Sequence, residues 1–484
     1  MTINYQKISK NMLLIGGMFT LSACSLLADN SLNSSDPLKV GITKELNVQR
    51  DQLNQPHQWT GALTQLKTSE RWLNSFADKT LLKSIDQALA HNFKLKQQAL
   101  SVEIKKRQLL NAGSQLWPDL SANLSNSRRK TTNISTSTSL DLTLKYEIDL
   151  WGKLSANEQL ANLAWLSEQA NFKQAKQQLV VSIITAWYNA VSTEKLLALN
   201  IQRAENTKQN LAIIESGYKQ GLNSSLDVYL TRNELNSALA RVADYKNSVL
   251  KAKRVIENLL GQYPSAEILL STNLPLITST LPLGLPSDIL QKKPSLQASW
   301  YSLLGSDASL AFAHKQRFPS FSLSAAINDQ QDSLSHLLSA SSLGWSLIGN
   351  ISAPIFQAGR LRNNEEIARL SLRQKEQAYL DTVYQAFADV ENAIVKETSL
   401  QQQMLLQTNA GKNAQSAYKL SFEQYQQGLV NYSTVLDAQN RWFDAQSSVI
   451  QLQNELITNR ANLNLALGGD VVFAPKTSAE MVNK

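Results

Sequence analysis

Two short stretches set the architecture of this chain: Tyr218-Lys219-Gln220-Gly221-Leu222 and Tyr425-Gln426-Gln427-Gly428-Leu429, which stand 207 residues apart. Working outward, the same offset aligns Leu260-Gly261 with Leu467-Gly468 downstream, and Gly152-Lys153-Leu154 with Gly359-Arg360-Leu361 upstream. Farther upstream, Trp117-Pro118-Asp119-Leu120 aligns with Phe318-Pro319-Ser320-Phe321 at an offset of 201, so six residues were gained between these landmarks. One half of the chain is a diverged copy of the other, with two structural units in one polypeptide.

Between Leu154 and Gly221 there is no proline and one internal glycine, Gly217. Phe172, Ala175, Leu179, Ile183, Ala186 and Ala190 step by three and four, the spacing of one helix face. Tyr379, Val383, Phe387, Val390 and Ile394 repeat that face in the second copy. A helix of this length extends about 100 Å and needs a partner along its whole seam. After Gly221 and Gly428 the chain turns back as a shorter helix, so each copy contains a long antiparallel helical hairpin.

A different period precedes each long helix. Leu140, Leu142, Leu144, Tyr146, Ile148 and Leu150 alternate with polar residues, and Leu343, Trp345, Leu347, Ile351, Ala353 and Ile355 follow the same pattern. Leu120, Ala122 and Leu124, and Phe321, Leu323, Ala325 and Ile327, supply partner strands. The polar runs Arg128 to Ser139 and Asn328 to Ser342 read as solvent-facing loops. Period two with one apolar face is the signature of a membrane β-strand, with a small soluble sheet with one wet face as the alternative. Four strands are too few to close a barrel, whose smallest single-chain bacterial form uses about eight, so membrane strands require several chains to share one.

Lys7 and Lys10, the apolar run Met12 to Phe19 and the small residues up to Cys24 have the layout of a secretory signal peptide, too short to span a bilayer. Leu21-Ser22-Ala23-Cys24 resembles the lipobox of bacterial lipoproteins, which implies acylation at Cys24, and Ser25 resembles an outer-membrane address. Cys24 is the one cysteine, which excludes an intramolecular disulfide. Cleavage before Cys24 lowers the net charge from +8 to +6 through loss of Lys7 and Lys10. The remaining basic residues are scattered, unlike a nucleic-acid footprint. His57, His91, His314 and His336 show no metal-ligand spacing, and no nucleotide loop or nucleophile elbow is present. Glu365-Glu366 reads as solvated helix surface. Neither an enzyme nor a cofactor is expected, apart from lipid at Cys24.

Taken together, Leu81…Ala88-Leu89…Asn92, Trp117-Pro118-Asp119-Leu120, Tyr146 to Leu154, Phe318 to Phe321, Ala353 to Leu361 and Tyr425 to Tyr432 resemble the outer-membrane efflux protein family, the TolC, OprM and NodT type of channel-tunnel. The resemblance covers most of the mature chain. It implies a mainly α fold with a pair of membrane β-hairpins, in which a homotrimer forms a shared 12-stranded barrel and a coiled-coil tunnel. Segments near 36–80, 263–285 and 470–484 resemble the family's equatorial belt. The resulting division is a signal peptide at 1–23, a lipidated tether and equatorial segment at 24–70, repeat one at 71–280, repeat two at 281–470 and a tail at 471–484. The hairpins fall at about 118–151 and 154–262, then at about 319–356 and 361–468. The implied function is a passive exit duct for drugs, toxic compounds or metal ions, embedded in outer-membrane lipid. Its implied partners are a periplasmic membrane-fusion adaptor and an inner-membrane pump, of the RND type first, or of the ABC or MFS type. A duct for one-step protein secretion and a periplasmic coiled-coil scaffold lipoprotein are the alternatives.

The resemblance also places a gate at the periplasmic tip. Tyr218 and Gly221, and Tyr425 and Gly428, mark the two turns. Asp437 matches a position whose carboxylates ring the closed aperture, and Tyr425 matches a tyrosine in contacts between hairpins. Thr434-Val435-Leu436-Asp437 and Ser224-Ser225-Leu226-Asp227 also have capping-box spacing, which places Asp437 and Asp227 in a first helical turn without any pore. Val430, Ser433 and Thr434 depart from residues that some relatives carry.

Overall fold

The computed structural model describes residues 78–277, 286–338 and 342–469; the expected signal peptide, Cys24 and the tail lie outside them. The first copy comprises α1 (Lys79–His91), α2 (Phe93–Ser114), β1 (Asp119–Lys130), β2 (Ile134–Ile148), α3 (Lys153–Lys219) and α4 (Ser225–Leu259). The second comprises α5 (Pro286–Lys292), α6 (Pro294–Lys315), β3 (Ser320–Gln331), β4 (Gly344–Ser352), α7 (Arg360–Gln426) and α8 (Tyr432–Ala466). The duplication is kept to the residue: α3 and α7 are both 67 residues long, and α4 and α8 are both 35. The six-residue gain falls after β3, which matches β1 at 12 residues.

Glycine in the left-handed region ends each long helix. Gly221 (φ +77°) and Gly428 (φ +73°) close α3 and α7, and Gly261 and Gly468 (both φ +71°) close α4 and α8. At the first turn Leu222 N–H donates to the Gly217 carbonyl at 2.9 Å and Gly221 N–H to Tyr218 at 3.0 Å, a Schellman closure. The second turn repeats it, from Leu429 to Gln424 and from Gly428 to Tyr425, both at 2.9 Å.

The main core lies where α1, α3, α4 and α8 meet. Leu81, Ile85 and Ala88 of α1 pack with Ile183, Ile184, Trp187 and Tyr188 of α3, Ile256 of α4, and Ile457 and Ala461 of α8. The α3 and α7 faces expected from the sequence are the faces turned inward. The irregular chain after α4 is pinned onto this core. Glu257, 2% exposed, accepts the N–H groups of Ala266 (2.7 Å), Glu267 (2.8 Å) and Ile268 (3.2 Å). Trp187 Nε1 donates to Asp78 Oδ2 at 3.1 Å and to Ser271 Oγ at 3.2 Å. Asn92 ends α1 and starts α2: its Oδ1 accepts Leu95 N–H at 3.0 Å while its Nδ2 reaches the Leu259 carbonyl at 2.9 Å.

The four strands form one antiparallel sheet in the order β1-β2-β3-β4, so the two copies join at the β2–β3 pair. Register is unbroken across all three pairs, with no bulge. Side chains therefore alternate strictly between faces. One face carries Leu120, Ala122 and Leu124, then Leu140 to Ile148 at every second residue, then Phe321, Leu323, Ala325 and Ile327, and last Trp345, Leu347, Gly349 and Ile351. The other is mainly Ser, Thr, Asn, Asp and Lys. Among the described residues β1 and β4 have no second strand neighbour.

Three expectations are corrected. The run Arg128 to Ser139 is mostly strand: β1 continues to Lys130 and β2 starts at Ile134, held by polar cross-strand contacts such as Asn126 Nδ2 to Thr138 Oγ1 at 2.8 Å. Likewise Asn328 to Gln331 belong to β3. At the helix-proximal end Leu150, Ala353 and Ile355 lie outside the strands, because Pro354 has no N–H for the ladder and Asp149 turns inward to cap α3. Glu365 is not solvated surface. It is 8% exposed and accepts from Arg317 at 2.6 Å and Arg369 at 3.2 Å, with His314 at 3.1 Å, welding α6 to α7. Burial alone would raise its pKa, but these partners hold the carboxyl below its ordinary value.

The glycine corners are not equivalent. A Cβ on Gly221 would meet nothing within 4 Å, whereas one on Gly261 would sit 2.7 Å from the His91 carbonyl oxygen. Gly221→Ala is expected to cost about 1–2 kcal/mol of left-handed strain, and Gly261→Ala clearly more. Thermal denaturation of the two variants checks this, and a loss at Gly261 no larger than that at Gly221 would contradict the packing described.

Candidate functional site: the tip of the helical hairpins

The tip farthest from the sheet is built from both copies. Ile214 of α3 and Val228 of α4 pack with Tyr432 and Val435 of α8, flanked by Leu211, Tyr418, Phe422, Tyr425 and Leu436. Tyr432 is fully buried, and its ring lies 5.2 Å from that of Tyr425. Burial pushes the Tyr432 hydroxyl up to about 12.

Of the residues expected at the gate, the structure brings two together across the hairpins. The Tyr425 hydroxyl reaches Asp227 Oδ2 at 3.5 Å, a long and weak hydrogen bond. Burial and the neighbouring Asp227 carboxylate push Tyr425 up to about 12, keeping it a neutral donor. Tyr218, Gly221 and Gly428 lie exposed on the turns themselves. Ser433, Thr434 and Asp437 lie on an exposed face of α8, apart from the Tyr425–Asp227 contact.

The two capping readings resolve differently. Ser224 is the N-cap of α4, and its Oγ accepts Asp227 N–H at 3.2 Å. In the second copy the helix begins three residues earlier than the Thr434 spacing suggests: Asn431 is the N-cap, and Thr434 lies inside the first turn, its N–H bonded to the Asn431 carbonyl at 3.0 Å. Asp437 therefore sits beyond the first turn and caps nothing. It pairs with Arg441 one turn on, at 2.9 Å, both side chains largely exposed. The tip thus presents a carboxylate with its own counter-charge rather than a bare acidic position.

A cluster above the tip escaped the sequence reading. Arg203 of α3, 9% exposed, donates to Glu234 of α4 at 3.0 Å and to Asn440 of α8, lies 3.6 Å from Asp444 and stacks 5.6 Å over the Phe443 ring. Arg241 completes it with a 2.8 Å contact to Glu234. Next to it Tyr418 and Trp442 stack at 5.5 Å. The signal was present in the spacing Leu199, Arg203, Thr207, Asn210, Ile214, which is a buried helical stripe carrying polar residues.

With this geometry in view, comparison with known proteins is direct. The sequence profile described as outer membrane efflux protein matches residues 84–262 and 285–469, one match in each copy. The chain belongs to the outer membrane efflux protein family. SrpC, a solvent efflux pump outer membrane protein of Pseudomonas putida, is 28% identical over 406 residues, covering 81% of this chain and 86% of SrpC. The crystal structure of CusC superposes with a TM-score of 0.78 at 25% identity, covering 86% of this chain and 98% of CusC. The outer membrane channel CmeC of Campylobacter jejuni matches in fold with a TM-score of 0.80 at 22% identity, covering 87% and 93%. This outer membrane efflux protein therefore shares a channel fold with its relatives and belongs at the outer membrane, extending into the periplasm.

Among the described residues, no group of His, Cys, Asp and Glu has the arrangement of a metal site. Two contacts join the hairpins near the tip, a strong clasp at Arg203 and a weak one at Tyr425. Arg203→Ala is expected to destabilise the protein by about 2 kcal/mol, because it strips a partner from Glu234 inside the helix seam. Asp437→Ala, which breaks a solvent-screened exposed pair, should change stability far less. Denaturant titration of both variants checks the ranking, and equal losses would contradict it.

Proposed function

We propose that this protein is the outer-membrane exit duct of a tripartite efflux pump, assembled as a homotrimer and conducting solutes passively from periplasm to exterior. The observation that carries this reading is the four-stranded sheet with one face non-polar through its helix-proximal rows and, among the described residues, two unpaired edges. In lipid such edges must be paired, and three copies joined β4 to β1 give a closed 12-stranded barrel. The non-polar face then meets lipid, and the hydroxyl-rich face lines the pore.

No catalytic role is assigned to the duct. SrpC is named for solvent efflux and CusC for cation efflux; for this chain we assign the same general task, with selection left to the inner-membrane pump. A pore wall of Ser, Thr and Asn side chains offers water-like contacts to many solutes. The pump is assigned to the RND type, with a periplasmic adaptor joining the two. Acylation at Cys24 supplies the outer-membrane anchor, in which acyl chains hold the mature N-terminus by buried methylenes.

The gate is assigned to the tip, where Tyr425–Asp227 is the contact that yields and Asp437 faces the narrowing. Its Arg441 partner tempers repulsion between the carboxylates of three copies. Asp437→Ala is accordingly expected to raise single-channel conductance in planar bilayers and to shift selectivity towards anions, since Arg441 then stands alone. Unchanged conductance and selectivity in a well-folded protein would remove Asp437 from the gate. Cys24→Ala is expected to weaken outer-membrane attachment more than pore formation; a free thiol at Cys24 in the mature wild-type protein would defeat the anchor.

A further inference from the structure

Within the barrel reading, the non-polar face of the sheet does not end in neutral residues. On β1 the outward positions continue from Leu120, Ala122 and Leu124 to Asn126, Arg128 and Lys130, because pairing with β2 runs without a bulge from Asp119↔Lys145 to Lys130↔Ile134. Arg129, between them, falls on the pore face. Both outward cations are exposed, and among the described residues neither has an ion-pair partner.

The surrounding outward positions offer them no counter-charge. On β2, Thr138, Thr136 and Ile134 lie alongside. The one acid on this face, Asp329 of β3, is 1% exposed and committed to its own loop, accepting Leu338 N–H at 2.6 Å and Gln331 Nε2 at 3.1 Å. The second copy has Asp329 and Gln331 where the first has Arg128 and Lys130, so the cationic pair occurs once per chain.

Their height follows from the strand. Arg128 lies four residues beyond Leu124, about 13 Å along a strand and about 10 Å along the normal at the usual barrel tilt. There hydrocarbon has given way to headgroups. This end of the sheet is opposite the helices, so it faces the outer leaflet. We propose that Arg128 and Lys130 form a binding site for the phosphate of a phosphorylated glycolipid headgroup in that leaflet. Arg supplies a planar fork of donors for phosphate and Lys a flexible point charge that can follow it. The acyl chains of the same lipid lie on the leucine rows below, so one molecule spans both parts of the surface.

The test is native mass spectrometry of the full-length protein extracted from outer membranes, delipidated and re-equilibrated with diphosphorylated lipid A as the probe. Each single substitution, Arg128→Gln or Lys130→Gln, should weaken retention about fivefold, and the double substitution about thirtyfold, with assembly and conductance unchanged. Arg128→Lys should retain most of the binding. Dephosphorylated lipid A should bind the wild type as weakly as the diphosphorylated form binds the double variant. Equal retention of the two lipids by the wild type, or of lipid A by wild type and double variant, would overturn the site. Displacement by millimolar inorganic phosphate would reassign it to free anions and so also overturn the proposal. The inference rests on the barrel reading, and the two fail differently: a wild type that does not enter the outer membrane defeats both, whereas an inserted, conducting wild type with no phosphate-dependent retention defeats this one alone.

Discussion

The structure depends on one requirement: every backbone polar group of a strand in hydrocarbon must find a partner in another strand. The described residues make four strands and leave β1 and β4 open. The outward face is non-polar from Ile148 and Phe321 up to Leu124 and Leu140, and on the proposed reading lipid is the medium for those rows. The open edges are then tolerable only when other copies pair with them. Trimerisation is on this account the condition under which the sheet exists in the membrane at all.

The helices answer a related constraint. A helix of 67 residues cannot be stabilised by its own propensity and must be packed along its length. Duplication supplies the partner: α3 and α7 each fold back on a 35-residue return helix, and α8 also touches α3 around Trp187 and Arg203. The copies have diverged where they do different work. Asp149 caps α3, accepting from Leu154 and Ser155 N–H at 2.9 Å and Ser155 Oγ at 2.6 Å, whereas the matching position before α7 is Phe356. Burial would raise the Asp149 pKa, but the Ser155 hydroxyl and the N–H groups of Ser155, Leu154 and Lys153 hold it below the ordinary value.

Much of this was legible in the sequence because it rests on periodicity and on glycine. The Tyr-x-x-Gly-Leu repeats place both turns, and alternation assigns the sheet's two faces. Strand ends were not legible, because Ser and Thr at the sheet's far end read as loop by composition yet pair as strand. The N-cap of α8 was misread for a similar reason: Thr434 has capping-box spacing, but Asn431 comes first and begins the helix. Arg203 goes unread and Glu365 reads as solvated surface because each is held by partners on other elements, and burial of a charge depends on partners that local pattern does not contain. Asp437 lies on α8 and pairs with Arg441 one turn on, a local i,i+4 spacing that the capping-box reading passes over.

The native mass of the detergent-extracted, membrane-purified protein tests the central claim most directly. Three chains per particle is the predicted result, since four strands from each then close into one barrel without an open edge. A stable, detergent-solubilised monomer would leave β1 and β4 unpaired in the hydrocarbon and would contradict the account.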